Sequence, residues 1–181
     1  MRDALSAEIE RAKARYASFR DAAYRHAGLA LSPVLGVDFH VSGWTGKAAE
    51  AYRDQWLPAD RHPDLAWDWD EIFRRHRDPD RLDLAVWSPG ERLSALGLGL
   101  TKATALELRF LSGDARADCP LRGRRALIVM ECAQAYAQLR GKTELHAQPV
   151  NDRVTELFVS IFGFELVTPR RGTPYYRKAI P

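Results

Sequence analysis

The stretch NDRVTELFVSIFGFE, residues 151–165, contains a helix start, an apolar helix face and a helix stop in that order. Asn151 belongs to the residue types that cap helices, because its side chain accepts a hydrogen bond from a free backbone N–H group. Gly163 supplies the left-handed backbone conformation with which many helices end. Between them, apolar residues recur at helical spacing, as they would on any core helix: Val154, Leu157, Phe158, Ile161 and Phe162. The stretch therefore predicts a helix over residues 151–162 with one buried face.

A strand and a longer helix are predicted immediately before this stretch. Residues 144–148 form the strand, and the helix covers residues 123–139. The helix begins within PLRGRRAL, residues 120–127, where three arginines surround Gly123: Arg122, Arg124 and Arg125. Basic side chains are unfavourable at a helix start, because the N-terminal end of the helix dipole is itself positive. Their placement therefore indicates a site for an anion such as a phosphate group, with a solvated basic helix start as the alternative.

Three closely spaced strands are predicted in the middle of the chain. Large residues alternate with small or polar ones over residues 82–86, 93–100 and 104–111, which is the pattern of strands with one buried face. The connections are only a few residues long, so the three strands form an antiparallel meander. Two more strands follow near the C-terminus, at residues 164–167 and 175–180. From residue 82 onwards the predicted order is therefore β-β-β-α-β-α-β-β.

An amphipathic helix is predicted at the N-terminus, from Asp3 to about His26, with Gly28 as its stop. Its apolar stripe consists of Leu5, Ile9, Ala12, Tyr16, Phe19 and Ala23. Such a stripe has to be buried, either against the same chain or in a homodimer. We expect residues 1–30 to form a helical extension and residues 31–181 to form one domain.

The second half of the chain resembles the GNAT superfamily of N-acetyltransferases in three stretches. Residues 151–165 are similar to the family's Asn-xx-Ala-xx-Leu-Tyr segment with its following Gly-Phe-Glu. Residues 120–127 are similar to its Arg/Gln-xx-Gly-x-Gly/Ala loop, and residues 175–178 (YYRK) to its last strand. The resemblance spans residues 82–180, slightly over half of the chain. It implies an α+β fold: a mixed, mostly antiparallel sheet flanked by helices, preceded here by the N-terminal helical extension.

The resemblance implies the transfer of an acyl group, expected to be acetyl, from coenzyme A to an amine, without a metal. Acetyl-coenzyme A or another acyl-coenzyme A is then the co-substrate. Its pyrophosphate is expected at the start of the helix over 123–139, and its pantetheine arm along the backbone near residue 111. The cofactor-binding residues implied in this way are Phe110, Leu111, Ser112, Arg122, Gly123, Arg124, Arg125, Ala126 and Asn151. The loop departs from the family pattern at Arg125, which stands where a second glycine is expected.

Three residues are candidates for moving protons in such a reaction. Glu107 is the first choice for the general base, acting through a water molecule, although its charge is equally consistent with a solvated strand face. His146 has a side chain suited to proton transfer at neutral pH, but a lone histidine is more often structural. Phe158 stands where many GNAT enzymes have a tyrosine that protonates the departing thiolate, and a phenyl ring has no proton to donate. Tyr176 is expected to take that role; the alternative is a catalytically silent module that binds acyl-coenzyme A or a protein.

The composition is that of a globular protein, for which we expect a cytoplasmic location. Of the 181 residues, 46% are apolar and 28% are charged, and the net charge is +3 with both signs interspersed. This distribution does not favour a nucleic-acid partner. The two cysteines, Cys119 and Cys132, belong to no metal-binding pattern and indicate a reducing compartment. No apolar run approaches the roughly 18 residues of a membrane span, and the charged N-terminus does not resemble a signal peptide.

Overall fold

The structure, a computed structural model, describes residues 2–59, 61 and 63–181. Its strands are β1 (His40–Ser42), β2 (Arg81–Ser88), β3 (Arg92–Thr101), β4 (Ala105–Gly113), β5 (Glu144–Ala147), β6 (Glu165–Val167) and β7 (Tyr175–Ala179). They form one seven-stranded sheet in the order β1-β2-β3-β4-β5-β7-β6. Every neighbouring pair is antiparallel except β4 and β5, which run parallel. The predicted mixed, mostly antiparallel sheet is confirmed.

Helices cover both faces of this sheet. They are α1 (Arg2–Leu35), α2 (Gly46–Ala51) with a π-helical continuation (Tyr52–Trp56), a short 3-10 turn (Pro63–Leu65), α3 (Trp69–Arg75), α4 (Arg125–Leu139) and α5 (Asp152–Glu156) with a π-helical continuation (Leu157–Ile161). One face packs against α1 and α4 and is called the α4 face. The other packs against α2 and α3 and is called the α3 face. The three helices predicted over residues 3–26, 123–139 and 151–162 are therefore present, and all of them contribute to the core of the α4 face.

Side-chain alternation along β3 explains its unusual run of leucines and glycines. Leu96 and Leu98 point to the α3 face and belong to its core. Gly97 points to the α4 face, where an added Cβ would lie 3.0 Å from the Leu84 side chain on β2. The glycine is therefore needed because a neighbouring leucine already fills its space.

α1 is longer than the sequence predicts. It is a helix of 34 residues that continues through Gly28 to Leu35, and Gly36 then takes a positive φ of 61°. The prediction that Gly28 ends the helix was wrong, because burial of the following turns outweighs the low helix propensity of one glycine. The α1 residues buried in the core of the α4 face are Ala23, Tyr24, Ala27 and Leu31. The helix runs across residue 30, and the division of the chain at that residue stays a prediction.

The apolar stripe on α1 becomes buried only toward its end. Leu5 and Ile9 are 60% and 44% exposed, whereas Ala23 is fully buried. The homodimer that would cover the first half stays a prediction. No helix among the described residues combines the length and the apolar character needed to cross a bilayer.

A partly buried ion pair fixes the end of α4 against the start of β2. Asp80 accepts hydrogen bonds from Arg140 Nε and Nη2 at 2.7 Å each, and from the Tyr136 hydroxyl at 3.0 Å. The Arg140 guanidinium also lies 4.6 Å from the centroid of the Tyr16 ring on α1. Burial alone would raise the pKa of the Asp80 carboxyl, but the hydrogen bonds from Arg140 and Tyr136 outweigh it and lower that pKa. Asp80 is therefore charged at neutral pH, and its pair with Arg140 joins α1, α4 and the sheet.

Replacing Arg140 with Met keeps most of the side-chain stem but leaves the Asp80 carboxylate without its cation. We expect Arg140→Met to lower the free energy of unfolding by about 1 to 3 kcal/mol at neutral pH. A carboxyl with a lowered folded-state pKa contributes stability above its unfolded value of about 3.9, and this contribution is lost as the pH falls through the folded-state value. The difference from wild type should therefore shrink in acid, as measured by urea unfolding across the acidic range.

The control for this experiment is Lys13→Met, which removes the cation of the exposed Lys13–Glu10 pair. Exposed pairs contribute little to stability, so this variant should unfold almost as wild type does. An Arg140→Met deficit that did not change with pH would contradict the role given to Asp80.

Candidate functional site

β4 and β5 separate partway along their length. The segment Ala105–Leu108 of β4 pairs with Glu144–Ala147 of β5, and β5 ends there. β4 continues to Gly113, and among the described strands its residues 110–113 pair with β3 alone. The edge of β4 beyond Leu108 therefore lines a gap in the sheet, which we call the β4–β5 opening.

A β-bulge at Arg109 lies where the opening begins. On β3, the consecutive residues 98 and 99 lie opposite Phe110 and Leu108, so Arg109 is an extra residue. The bulge turns Phe110 to the α3 face, where its ring meets the Trp67 ring edge-on at 5.1 Å. The Arg109 guanidinium donates to Gln148 Oε1 at 3.1 Å, just beyond the end of β5. One arginine therefore bridges the two strands where their backbones part.

The backbone groups of β4 alternate between β3 and the opening. The Asp114 N–H donates to the Ser94 carbonyl on β3, and hydrogen-bonding residues recur every second position along an antiparallel pair. Phe110 and Ser112 therefore turn their N–H and C=O groups to β3. Leu111 turns its own to the β4–β5 opening. Of the three residues predicted to bind the pantetheine arm through their backbone, Leu111 has the suitable orientation.

A buried carboxylate holds the loop that connects β4 to α4. Asp114 is 2% exposed and accepts hydrogen bonds from Arg92 Nε and Arg116 Nε at 2.8 Å each. Burial alone would raise the pKa of the Asp114 carboxyl, but the hydrogen bonds from Arg116 and Arg92 outweigh it and lower that pKa. Arg92 also donates to the exposed Asp118 at 2.7 Å. This network ties the loop to the start of β3 and thereby fixes where α4 begins.

α4 begins at the end of the sheet where the opening lies. Gly123 takes a φ of 80° just before the helix, and Arg124 caps the helix without a side-chain hydrogen bond. The N–H groups of residues 125–127, with Ala126 in the middle, have no acceptor within the helix, because no helical carbonyl precedes them. Arg122 and Arg124 are exposed close to them in the chain. These donors and cations form a positive site suited to an anion.

Arg125 differs from the two neighbouring arginines because its side chain turns inward. Its guanidinium donates a hydrogen bond to the Asp114 carbonyl oxygen and lies directly against Gly113. Burial lowers the pKa of this guanidinium, which nevertheless remains charged at neutral pH. Of the three arginines predicted to bind the phosphates, Arg122 and Arg124 are therefore exposed, whereas Arg125 is turned inward.

Glu107 lies on the α3 face of β4 and is engaged in two ion pairs. Its side chain is 5% exposed, with Lys102 Nζ at 2.7 Å and Arg109 Nη1 at 3.1 Å. Burial alone would raise the pKa of the Glu107 carboxyl, but the hydrogen bonds and charges of Lys102 and Arg109 outweigh it and lower that pKa. A solvated strand face, one of the two interpretations of this residue, is therefore excluded. Its pairing also makes the carboxylate a weak base.

His146 lies opposite Glu107 on the neighbouring strand β5 and on the same face of the sheet. Its Nε2 atom is 2.7 Å from Glu144 Oε2, and its ring lies 4.5 Å from the Tyr175 ring. Glu144 is also 3.4 Å from Arg177 Nη1. The imidazole is thus oriented by a carboxylate and an aromatic ring. The structure brings the two predicted base candidates to adjacent positions.

Phe158 and Tyr176 lie on the opposite, α4 face. Phe158 is 4% exposed and its ring meets those of Phe162 and Phe164. Tyr176 is half-buried and packs against the same core. In the sheet it pairs with Ala147, the last residue of β5 before the opening. The tyrosine is therefore close to the place where the strands separate, on the side of the residue that it is predicted to replace.

Asn151 caps α5 as predicted. Its side chain accepts a hydrogen bond from the Val154 N–H at 3.0 Å and donates one to Asp64 Oδ2 at 3.2 Å. Asp64 belongs to the short turn between α2 and α3, so this contact joins the α2–α3 connection to α5. Both functions of the amide are satisfied within the protein, and its part in cofactor binding stays a prediction.

The sequence gives no signal for two features of this site. The pairing of Arg92 with Asp114 and the bridge from Arg109 to Gln148 join residues that no local pattern connects.

The indole Nε1 of Trp67 is buried without a hydrogen-bond partner among the described residues. The same residues contain no group of three His, Cys, Asp or Glu side chains that could hold a metal ion.

The chain has the fold of solved GNAT-family N-acetyltransferases. It superimposes on the ribosomal-protein-S18-alanine N-acetyltransferase from Escherichia coli with a TM-score of 0.56 and 16% identity, over 79% of this chain and 94% of that one. For the GNAT domain of S. lividans PAT the TM-score is 0.54 and the identity 19%, over 78% of this chain and 90% of that one. For the PaiA N-acetyltransferase from Thermoplasma acidophilum, solved with coenzyme A, the TM-score is 0.52 and the identity 14%, over 78% of this chain and 99% of that one.

No family model and no curated protein matches the sequence. At these identities the likeness to solved structures shows the fold, and the predicted GNAT fold is confirmed at that level.

The Asp114 network should be important for the stability of the site. We expect Asp114→Asn to lower the free energy of unfolding by about 2 to 3 kcal/mol, because it leaves the inward-facing Arg92 and Arg116 without their shared carboxylate. Asp118→Asn is the matched control, since Asp118 also pairs with Arg92 but is 78% exposed. Its effect should be much smaller. Equal losses for the two variants in urea unfolding would contradict the structural role of Asp114.

Proposed function

We propose that the chain is an acyl-coenzyme A-dependent N-acyltransferase that moves an acyl group, most simply acetyl, to an amine. One observation supports this function above the others: β4 loses its β5 partner at the end of the sheet where α4 begins. A linear thioester with a phosphate-bearing end fits such an arrangement. Free backbone groups meet its arm, and a helix N-terminus with two exposed arginines meets its phosphates.

The residues present fit coenzyme A at both of these points. The N–H groups of residues 125–127, together with Arg122 and Arg124, would bind the pyrophosphate. The backbone of Leu111 would bind the pantetheine arm as a further strand binds an edge. Bound in this way, acyl-coenzyme A would supply an activated thioester carbonyl. The relatives of known structure include one solved with coenzyme A, which supports the assignment at the level of the fold.

Within this function, His146 is the better candidate for the base that accepts the proton of the amine. It lies beside Glu107, but only Glu107 is held by two cations, and an imidazole is the side chain best suited to exchange a proton at neutral pH. Glu144 would orient the His146 ring. Glu107 would keep Lys102 and Arg109 in place at the start of the opening. Tyr176, on the other face, would donate a proton to the thiolate.

A catalytically silent module that binds acyl-coenzyme A is the second candidate. Two observations favour it. Phe158 has no hydroxyl group, and the charge of the Glu107 carboxylate is already balanced by its ion pairs with Lys102 and Arg109. Such a module would use the same β4–β5 opening. Cofactor binding alone therefore does not separate the two candidates, whereas turnover does.

The proposed phosphate site predicts that binding depends on the two exposed arginines. Replacing Arg122 and Arg124 together with Ala should weaken coenzyme A binding about tenfold or more in calorimetry, with little change in unfolding free energy. The matched control is Arg11→Ala with Arg15→Ala, two exposed arginines on α1. The control removes the same charge and should leave the affinity unchanged. An absence of binding by wild type at millimolar coenzyme A would overturn the proposed function.

If Tyr176 is the proton donor, removing its hydroxyl should slow the reaction, whereas adding a hydroxyl at Phe158 should not matter. Tyr176→Phe should slow thiol release from acetyl-coenzyme A by roughly a hundredfold or more, because a well-placed general acid contributes about that much. Phe158→Tyr should change the rate little if Tyr176 already acts. The assay measures thiol release with a panel of amines, peptides and aminoacyl-tRNAs. Undiminished turnover by Tyr176→Phe would rule out this tyrosine, and background rates for wild type with retained binding would favour the silent module.

A further inference from the structure

Arg125 occupies a position that is unusual for an arginine at the start of a helix. It is the first residue of α4, yet its side chain points back to the end of β4 rather than to solvent. A Cβ at Gly113 would lie 2.6 Å from Arg125 Nη1, 2.7 Å from Cζ and 2.9 Å from Nε. The whole guanidinium therefore fills the space that a side chain at Gly113 would take.

This space lies between the two parts of the proposed cofactor site. Gly113 is two residues beyond Leu111 and on the same edge and face of β4, and the free N–H groups at the start of α4 include that of Arg125 itself. A ligand that bound both the Leu111 backbone and the helix start would therefore run past the guanidinium. Phosphates bind best at a helix start when they can reach its free N–H groups directly. Here the phosphates of the ligand would meet a bulky side chain instead.

In its inward position the Arg125 guanidinium donates to a backbone oxygen rather than to a carboxylate. Its hydrogen-bond acceptor is the carbonyl oxygen of Asp114, whereas the Asp114 carboxylate is taken by Arg92 and Arg116. The guanidinium is a partly buried cation without a carboxylate partner in the contacts of the described residues. Burial disfavours the charge of this guanidinium, and the nearby Asp114 carboxylate offsets only part of that cost. The charge is therefore better solvated when the side chain swings out.

We propose that Arg125 is a specificity-determining residue that closes the phosphate end of the cofactor site, so that coenzyme A binds only after the guanidinium swings out. This inference rests on the proposed function. The apparent affinity for coenzyme A is the intrinsic affinity multiplied by the fraction of molecules in which the Arg125 side chain is swung out. A populated closed rotamer therefore lowers it. It leaves the affinity for the pantetheine arm alone unaffected, because that arm ends before the helix start.

Arg125→Ala tests the inference, with coenzyme A and pantetheine as the two probes. Removing the guanidinium should tighten coenzyme A binding about tenfold in calorimetry and leave pantetheine binding, followed by NMR titration, unchanged. Arg124→Ala is the matched control, because the neighbouring arginine is exposed. It should weaken coenzyme A binding. Arg125→Gln, which keeps a donor for the Asp114 carbonyl but carries no charge, serves if the alanine variant folds poorly and should also tighten binding.

The outcomes separate the two proposals. Weaker or unchanged coenzyme A binding by folded Arg125→Ala, with binding by wild type intact, overturns the role of Arg125 and leaves the proposed function standing. Tighter binding of both probes to the same extent also overturns it, because the effect would then not be confined to the phosphate end. If neither wild type nor Arg125→Ala binds coenzyme A, the proposed function fails and this inference fails with it. A wild type that does not bind coenzyme A at millimolar concentration overturns the proposed function, and this inference with it, even where the variant binds.

Discussion

The candidate site depends on the single parallel junction of the sheet, the pairing of β4 with β5 over four residues. A parallel pair cannot be joined by a tight turn, so the chain must leave β4, cross the sheet as α4 and return as β5. The crossover places the start of α4 at the far end of β4. Because β5 ends at Ala147 while β4 continues to Gly113, that same end of β4 keeps a free edge. A helix N-terminus and unpaired strand groups thus meet at one place because of how the chain is connected.

α4 is held at both ends by an aspartate that lies on neighbouring structure. Asp114 fixes the loop before the helix through Arg92 and Arg116, and Asp80 binds Arg140 where the helix ends. Such carboxylates lose much of their hydration, and their partners offset that cost only when the geometry is good. What they provide is position rather than large net stability. The helix start, and with it the proposed anion site, is therefore fixed relative to β4 by charged groups outside the helix.

Local sequence patterns predicted those parts of the fold that are determined by residues close together in the sequence. The three strands of residues 81–113, the cap at Asn151 and the stop at Gly163 depend on neighbouring residues and were confirmed. The end of α1 was predicted wrongly, because the turns after Gly28 are kept helical by burial against residues far along the chain. The candidate site followed the same rule. The strand and face of Glu107 follow from alternation, but its two cations and the inward turn of Arg125 depend on contacts that only the folded chain creates.

The candidate residues are divided between the two faces of the sheet, which bears on the proposed role of Tyr176. Glu107 and His146 lie on the α3 face, whereas Phe158 and Tyr176 lie on the α4 face, and the β4–β5 opening runs between them. Under the proposed function, an acyl group held in that opening would have the imidazole of His146 on one side and the hydroxyl of Tyr176 on the other. Phe158 reaches the α4-face core from the helix after β5, and Tyr176 reaches the same core from β7, the strand paired with β5. Under the proposed function, the neighbouring strand would therefore supply the hydroxyl donor that the helix lacks, because the chemistry requires a position beside the opening rather than a particular element.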